Sequence, residues 1–386
     1  VMKKQIIFGL SIVLPLALLI YFVVPKEESN KPIKGDNTAS GNKKRTSGTL
    51  SLFFVGDLMG HETMLNSAKS ADGKSYNFEP WFSYLSPKLG AFDMTMLNLE
   101  VTLGGPPYSG YPMFCSPDVY AETANRAGFD FFITANNHSL DRRKKGLERT
   151  IDQLDLMKIE HTGTFKNQMD RDNSYPYIKV IKDQRLAILN YTYGTNGLEV
   201  ELPNIVNMID TVQMLKDLKK AKEKNSDFTL VTIHWGNEYQ RNYSPEQKKL
   251  AQWLCDHGAD AIIGMHPHVV QPMEILHPKN NPSKAVPVAF SLGNFISAQR
   301  DRYKSGGIGL GLTLNISDKG LSFGSWEYLP MWVRKGGNPN GFYVIPGSDW
   351  EKNPERYALN AQEESLIKEF LSDTRGLLSK LVEMKF

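Results

Sequence analysis

Four of the eight histidines stand in company that suggests chemistry. His266 and His268 are separated by a single proline in "GMHPHVV", His234 follows an apolar run in "TIHWGNEY", and His138 follows two asparagines in "ITANNHSLD". Asp57 and Glu100 each end an apolar run of their own, "LSLFFVGD" and "MTMLNLE". Carboxylate, amide oxygen and imidazole suit hard or borderline divalent cations. Asp57, Glu100, Asn137, His234, His266 and His268 therefore form a candidate ligand set with enough donors for two ions. Two cations about 3.5–4 Å apart generate a hydroxide nucleophile and clamp a phosphoryl group during in-line displacement. Holding ions so close requires a bridging carboxylate, and Asp57 and Glu100 are both candidates. His138 is a candidate either to donate a proton to a leaving oxygen or to hydrogen-bond a phosphate, and Asp141, three residues on, is the candidate to orient its ring.

The elements that must position these groups are legible as alternating patterns. Seven short apolar runs, rich in β-branched or aromatic residues, read as strands: 50–57, 92–100, 129–138, 185–193, 228–236, 259–266 and 286–295. Helical patterns lie between them. "SPDVYAETANRAG" offers Ser116 as N-cap ahead of Pro117 and stops at Gly128, "KGLERTIDQLDLMK" carries an apolar stripe, and "SPEQKKLAQWLCDHG" runs from Ser244-Pro245 to Gly258. Such alternation predicts a layered α/β fold. Open α/β sheets bind ligands at the carboxyl ends of their strands, and five of these strands end in metal-competent side chains. One shared rim is the expectation. Pro267 disfavours the helical region for His266, and residues i and i+2 of an extended chain share a face. His266 and His268 are thus expected to point at one cluster from an extended backbone.

Composition narrows the partners. Apolar content of 41% and charged content of 23% are globular values. A net charge of +3 is too small to argue for nucleic acid, and Arg142-Arg143-Lys144-Lys145 reads as a solvated helix start. Cys115 and Cys255 make neither a disulfide framework nor a zinc ribbon, and both read as packing residues. His61 stays open between a solvated helix start and a rim contact, while His161, His257 and His277 read as surface or capping residues. From Ile6 to Val24 no side chain is charged, which is about the length that crosses a bilayer. Lys3 and Lys4 precede the run, and positive flanks stay in the cytoplasm. Residues 1–25 are therefore expected to be a transmembrane signal-anchor with the remainder outside. Residues 26–48 read as a flexible linker, 49–335 as the folded domain, and 336–386 as a C-terminal tail with a helix.

Together "FFVGDLMGHETML", "MLNLEVTL", "ITANNHSLDRRKKGLERTIDQL", "TIHWGNEY", "DAIIGMHPHVVQPME" and "FSLGNF" resemble the CapA/PgsA family of poly-γ-glutamate capsule proteins, in order from about residue 50 to 335. That family in turn is similar to the calcineurin-type metallophosphoesterases. The resemblance implies a four-layer α/β/β/α sandwich of the metallophosphoesterase type, preceded by an N-terminal transmembrane helix. It implies metal ligation by Asp57, Glu100, Asn137, His234, His266 and His268, with His138 as proton donor. Glu100 is a glutamate where most phosphoesterases have aspartate. The implied cofactor is one or two divalent ions per chain, with Mn2+, Fe and Zn2+ as candidates. One motif departs: Asp57-Leu58-Met59 stands where phosphoesterases have Asp-x-His, and a thioether is a poor ligand for a hard cation. The number of ions therefore stays open. In biological terms the resemblance implies a single-pass cell-membrane protein with its domain on the extracellular side. It would assist synthesis or export of poly-γ-glutamate, or a related anionic envelope polymer, with a ligase and membrane subunits as partners. A metal-dependent phosphoesterase acting on a cell-envelope phosphate ester, and a non-catalytic polymer-binding scaffold, are the alternatives.

Overall fold

The computed structural model describes residues 47–318, 320–335 and 341–385. The expected membrane anchor and nearly all of the linker lie outside the described residues. Among the described residues no helix is long and apolar enough to cross a membrane.

Two sheets face each other. The first is built outward from Gly48–Leu58, which pairs in parallel with Met94–Leu99, then Phe131–Ile133, then Glu160–Thr162. On its other side Gly48–Leu58 pairs antiparallel with Gly306–Ser317, which continues through Gly320–Lys335 to Phe342–Pro346. In the second sheet Phe228–His234 lies between Gln184–Thr192 and Ala261–Met265, all parallel, and Val286–Ala289 follows. The antiparallel strands Tyr177–Ile181 and Met273–Leu276 close its edges.

The period-2 alternation of a strand decides which residues meet across the gap. Leu50, Leu52 and Phe54 point between the sheets, onto Ile188, Leu230 and Ile263 of the second sheet. Phe53 and Val55 point the other way, into a cluster with Trp81, Tyr120 and Ala124 from the helices Glu79–Phe82 and Asp118–Arg126. The outer face of the second sheet presents Leu189, Val231 and Ile262 to Met214 and Leu254, from the helices Thr211–Glu223 and Pro245–Asp256. The order is helix, sheet, sheet, helix. A fully buried leucine or phenylalanine contributes roughly 1.5–3 kcal/mol relative to an exposed one, so the inner cluster holds the sheets together and the outer two hold the helices against them.

Pro245–Asp256 begins with a reciprocal cap: Ser244 Oγ accepts from the Gln247 amide at 3.2 Å, and Gln247 Oε1 accepts from the Ser244 amide at 2.9 Å. Ser116 does not cap its helix, which starts after Pro117 without a side-chain cap. Its amide is instead committed to Thr102 O at 2.9 Å in the preceding loop. The run 286–295 is two strands rather than one. The chain turns at Gly293 (φ 73°), and Asn294–Ile296 crosses over to pair with the first sheet at Asp57. Cys115 and Cys255 are free and buried. Beyond residue 341 the chain carries the helix Ala361–Leu377, and Phe342–Pro346 and Val382–Glu383 both pair with Gly320–Lys335.

Candidate metal centre

The ligand-bearing ends of both sheets meet at one rim, where Glu100 of the first sheet lies beside His234 of the second and Asp57 beside His268. Asp57 lies within the last turn of pairing of Gly48–Leu58, and Glu100 directly follows Met94–Leu99. Asn136, Asn137 and His138 follow Phe131–Ile133, His234 ends Phe228–His234, and His266 follows Ala261–Met265. Every one of these side chains is buried.

Two groups of ligand atoms form there, each with all atoms within 4.8 Å of one another: Glu100, His234 and His266 in one, Asp57, Glu100 and His268 in the other. Glu100 belongs to both. Its Oε1 lies 3.4 Å from His234 Nε2 and 4.0 Å from His268 Nε2. Asp57 Oδ2 lies 3.2 Å from His268 Nδ1. Asn137 Oδ1 sits 2.9 Å from His234 Nε2, so its amide oxygen belongs to the first group's surroundings. His138 is set apart from both groups. Its Nδ1 meets Asp141 Oδ2 at 2.7 Å, and that oxygen also accepts from the Phe114 amide at 2.6 Å. The structure thus brings all eight candidate residues to one place.

The backbone under the two histidines differs from the expected extended run. His266 has φ 99° and His268 φ 57°, left-handed values that cost a non-glycine residue free energy. The reason is visible in the contacts. His266 donates its amide to Asp57 Oδ2 at 3.3 Å. The twisted backbone then sends the rings to different groups, with centroids 6.0 Å apart. One histidine serves each triad, rather than both serving one.

Met59 and His61 settle in the wall. Met59 is buried, and its carbonyl accepts from the Tyr120 hydroxyl at 2.7 Å. His61 Nδ1 accepts the Ala298 amide at 3.3 Å, and the ring lines the cleft over the centre without joining either triad. It is a rim contact. Burial, then the neighbouring His268, lowers its pKa to about 4.

Sequence reasoning missed an inner ring of amides. Asn98 Nδ2 donates to Asp57 Oδ1 at 2.8 Å and lies 3.3 Å from His234 Nδ1, while Asn136 Nδ2 donates to Asn98 Oδ1 at 3.1 Å. Asn294 Oδ1 faces His268 Nδ1 at 3.0 Å. An amide inside an otherwise apolar strand, as in "MTMLNL" or "FSLGNF", was the available signal. Tyr193 was missed as well. Its ring packs 4.5 Å from His266 and lies parallel to His234 at 6.3 Å.

The family model for bacterial capsule synthesis protein PGA_cap matches residues 51–299. The chain belongs to that family. Capsule biosynthesis protein CapA of Bacillus anthracis is 28% identical over 312 residues, covering 77% of this chain and 70% of that protein. PGA biosynthesis protein CapA of Bacillus subtilis (strain 168) is 26% identical over 261 residues, covering 65% and 64%. Among solved structures, the NAD nucleotidase of Haemophilus influenzae superposes with a TM-score of 0.49 at 14% identity, over 86% of this chain and 61% of that one. The calcineurin-like phosphoesterase YfkN of Bacillus subtilis superposes with a TM-score of 0.43 at 12% identity, over 87% and 99%. All eight candidate residues fall inside the span matched by the capsule-synthesis family.

Within this PGA_cap domain the electrostatics decide whether a cation suits the site. Glu100 has no exposed surface, and neither carboxylate oxygen has a hydrogen-bond partner. Burial, then the adjacent Asp57 carboxylate, pushes its pKa well above the ordinary value. His266 Nδ1 is likewise buried without a partner. Burial and the neighbouring imidazoles hold His234 well below the usual histidine range and lower His266 to about 3. The rings are therefore neutral, with lone pairs to give, around an orphaned carboxylate. Buried polar atoms without partners are costly, and a divalent cation at each triad would satisfy them together. The residues fit the cofactor.

Proposed function

We propose that the chain is a metal-dependent phosphoesterase of the metallophosphoesterase type. On this reading it acts outside the membrane in the assembly of poly-γ-glutamate or a related anionic envelope polymer. The observation that carries the chemical part is Glu100, a buried carboxylate without a hydrogen bond, shared by two triads. Asp57, Glu100 and His268 would hold one ion, and Glu100, His234 and His266, with Asn137, the other. Bound cations there supply Lewis acidity toward phosphoryl oxygens and activate water. The rest belongs to the chain. Asp141 accepts from His138 Nδ1 and leaves Nε2 toward the cleft, where a proton carried on Nε2 would pass to a leaving oxygen. Asn98 and Asn294 hold Asp57 and His268 in place. Family membership and the uncharged run Ile6–Val24 support the biological part, with a ligase and membrane subunits as partners.

Metal analysis of the purified full chain is the first test, with two ions per chain expected. The Mn2+-loaded chain should then cleave a simple phosphodiester, and His138→Ala should lower turnover by about 10²–10⁴-fold without loss of metal. Absence of turnover with any divalent ion would sink the catalytic reading. Deleting the gene should abolish or reduce surface polymer; an unchanged capsule would overturn the biological one. Met59 favours a second reading, because it occupies the sequence position at which the resembled phosphoesterases carry a further histidine. One ion per chain together with silent chemistry would make the site a polymer-binding scaffold.

A further inference from the structure

The cleft over the centre measures about 370 Å³, the scale of a small-molecule site. Its floor is the centre itself, with Asn137, His138 and His268. Its walls are of another kind. Tyr239, 44% exposed, places its ring 6.1 Å from that of His268. Tyr111, 79% exposed, stands beside Phe114 at 6.4 Å, and Phe114 in turn meets the His138 ring edge-on at 4.6 Å. Asn196 and Gln299 add neutral amides. Among the described residues that line the cleft there is no lysine or arginine, and the one exposed acid is Glu238.

Tyr239 is held at this mouth under constraint. Its φ of 66° is a left-handed conformation that a bulky residue adopts only when its surroundings over-determine it. Its amide donates to Pro267 O at 2.8 Å, between the two histidines, and its hydroxyl accepts from Gln299 Nε2 at 3.4 Å. Lys304 Nζ sits 4.2 Å from the ring centroid and is paired with Asp301. The backbone is strained, and a large aromatic ring stays beside the centre rather than in the core.

A polyanionic chain is recognised by a cationic lining; no lysine or arginine lines these walls, Lys304 behind Tyr239 is paired with Asp301, and Glu238 repels a polyanion. A ring with hydroxyls on or beside it finds what it needs: aromatic faces for its apolar side and amides for the hydroxyls. We propose that this cleft takes the phosphate ester of a hydroxylated ring, phosphate on the metal centre and ring against Tyr239 and Tyr111, and that the anionic polymer is not its occupant. The inference rests on the reading of the centre as a phosphate-binding metal site. It makes the chain's part in capsule assembly a step on a sugar- or nucleoside-bearing phosphate, not on the polymer itself.

Binding, measured by calorimetry on the Mn2+-loaded full chain, separates the two claims. Glucose 6-phosphate or AMP should bind about tenfold more tightly than ringless glycerol 3-phosphate, the scale of one good aromatic contact. Whichever of the two binds more tightly identifies the ring as sugar or nucleoside. Tyr239→Ala should narrow that ratio to roughly threefold or less, while Tyr239→Phe preserves it. Tyr111→Ala, at an exposed loop position, gives the same readout should Tyr239→Ala fail to fold. Equal affinity for ringed and ringless esters would overturn the inference. So would a ratio indifferent to both substitutions, or displacement of glucose 6-phosphate by poly-γ-glutamate oligomers at equal concentration. Failure of inorganic phosphate to bind the loaded chain would instead sink the reading of the centre, and the inference with it.

Discussion

Glu100 concentrates the conflict between fold and function in one side chain. Without a cation its two oxygens are buried beside the Asp57 carboxylate, and neither accepts a hydrogen bond from a neighbouring donor. Its pKa is raised, so the folded chelated protein retains a proton there that the unfolded chain releases. Between the ordinary carboxyl value of 4.5 and the raised folded value, the chelated fold therefore loses stability as pH rises. Glu100→Gln removes this slope. In EDTA at pH 7.5 it should melt above the parent, by an amount corresponding to roughly 1–3 kcal/mol for an unsatisfied buried group. With Mn2+ present the order should reverse, because an anionic carboxylate would hold the ions more tightly than a neutral amide. Thermal melts with and without metal check both halves. A second expectation concerns Asp141. Asp141→Asn keeps an acceptor for the Phe114 amide but removes the charge behind the His138 ring. Turnover should fall by about 10–100-fold, as for other residues that orient a functional histidine, with metal content unchanged.

Elements place these residues by close approach. A Cβ on Gly264 would lie 2.0 Å from Phe290 O and 2.5 Å from the Trp235 indole nitrogen. Trp235 Nε1 itself donates to Phe290 O at 2.9 Å, so neither neighbour can move independently. Gly264→Ala must push Ala261–Met265 away from its partners and carry His266 with it. A cost of roughly 1–3 kcal/mol is expected from overpacking, together with lowered metal occupancy, both measurable on one purified variant. The strands that end in ligands were legible because a strand buried on both faces is a continuous apolar run, and a polar residue at its end stands out. The hairpin Gly306–Ser317 and Gly320–Lys335 was not. Its second strand is exposed or half-buried from Leu321 to Glu327, and Pro330 interrupts the apolar stretch Tyr328–Val333 that follows, so the sequence does not read as a strand there. The wrong backbone under His266 and His268 has a tertiary cause. A proline restricts its predecessor's ψ, but the hydrogen bond from the His266 amide to Asp57 Oδ2 accompanies a φ that local preference would not supply. Asn98 and Asn294 escaped because an amide's role depends on which carboxylate or ring it faces, and that is set across sheets.

On the scale of the whole molecule, the C-terminal segment beyond the family match carries load in the fold. Phe342 and Val344 of its first strand, with Met384 near its end, enter the cluster that packs under Phe53 and Trp81. Ile367, Phe370 and Leu371 of the helix Ala361–Leu377 cover Trp332, Ile345 and Trp350. Polar contacts fix the same docking: Arg302 pairs with Asp373 at 2.9 Å, Arg334 with Glu363 at 2.8 Å, and the Met384 amide donates to Tyr328 O at 2.8 Å. Arg302 stands five residues before Gly307, whose strand borders the Asn294 turn beside His268. Removing residues 341–386 would bare an apolar face of the first sheet and leave Gly320–Lys335 as an unpaired edge, the kind of edge that drives aggregation. The chain cut after Lys335 should therefore be insoluble or bind no metal, although every candidate ligand remains in it. The full chain should unfold in urea as one transition that includes the C-terminal helix, followed by a reporter on that helix and by tryptophan fluorescence together. Separate transitions for the two signals would show instead that the segment is an appendage and that the centre stands without it.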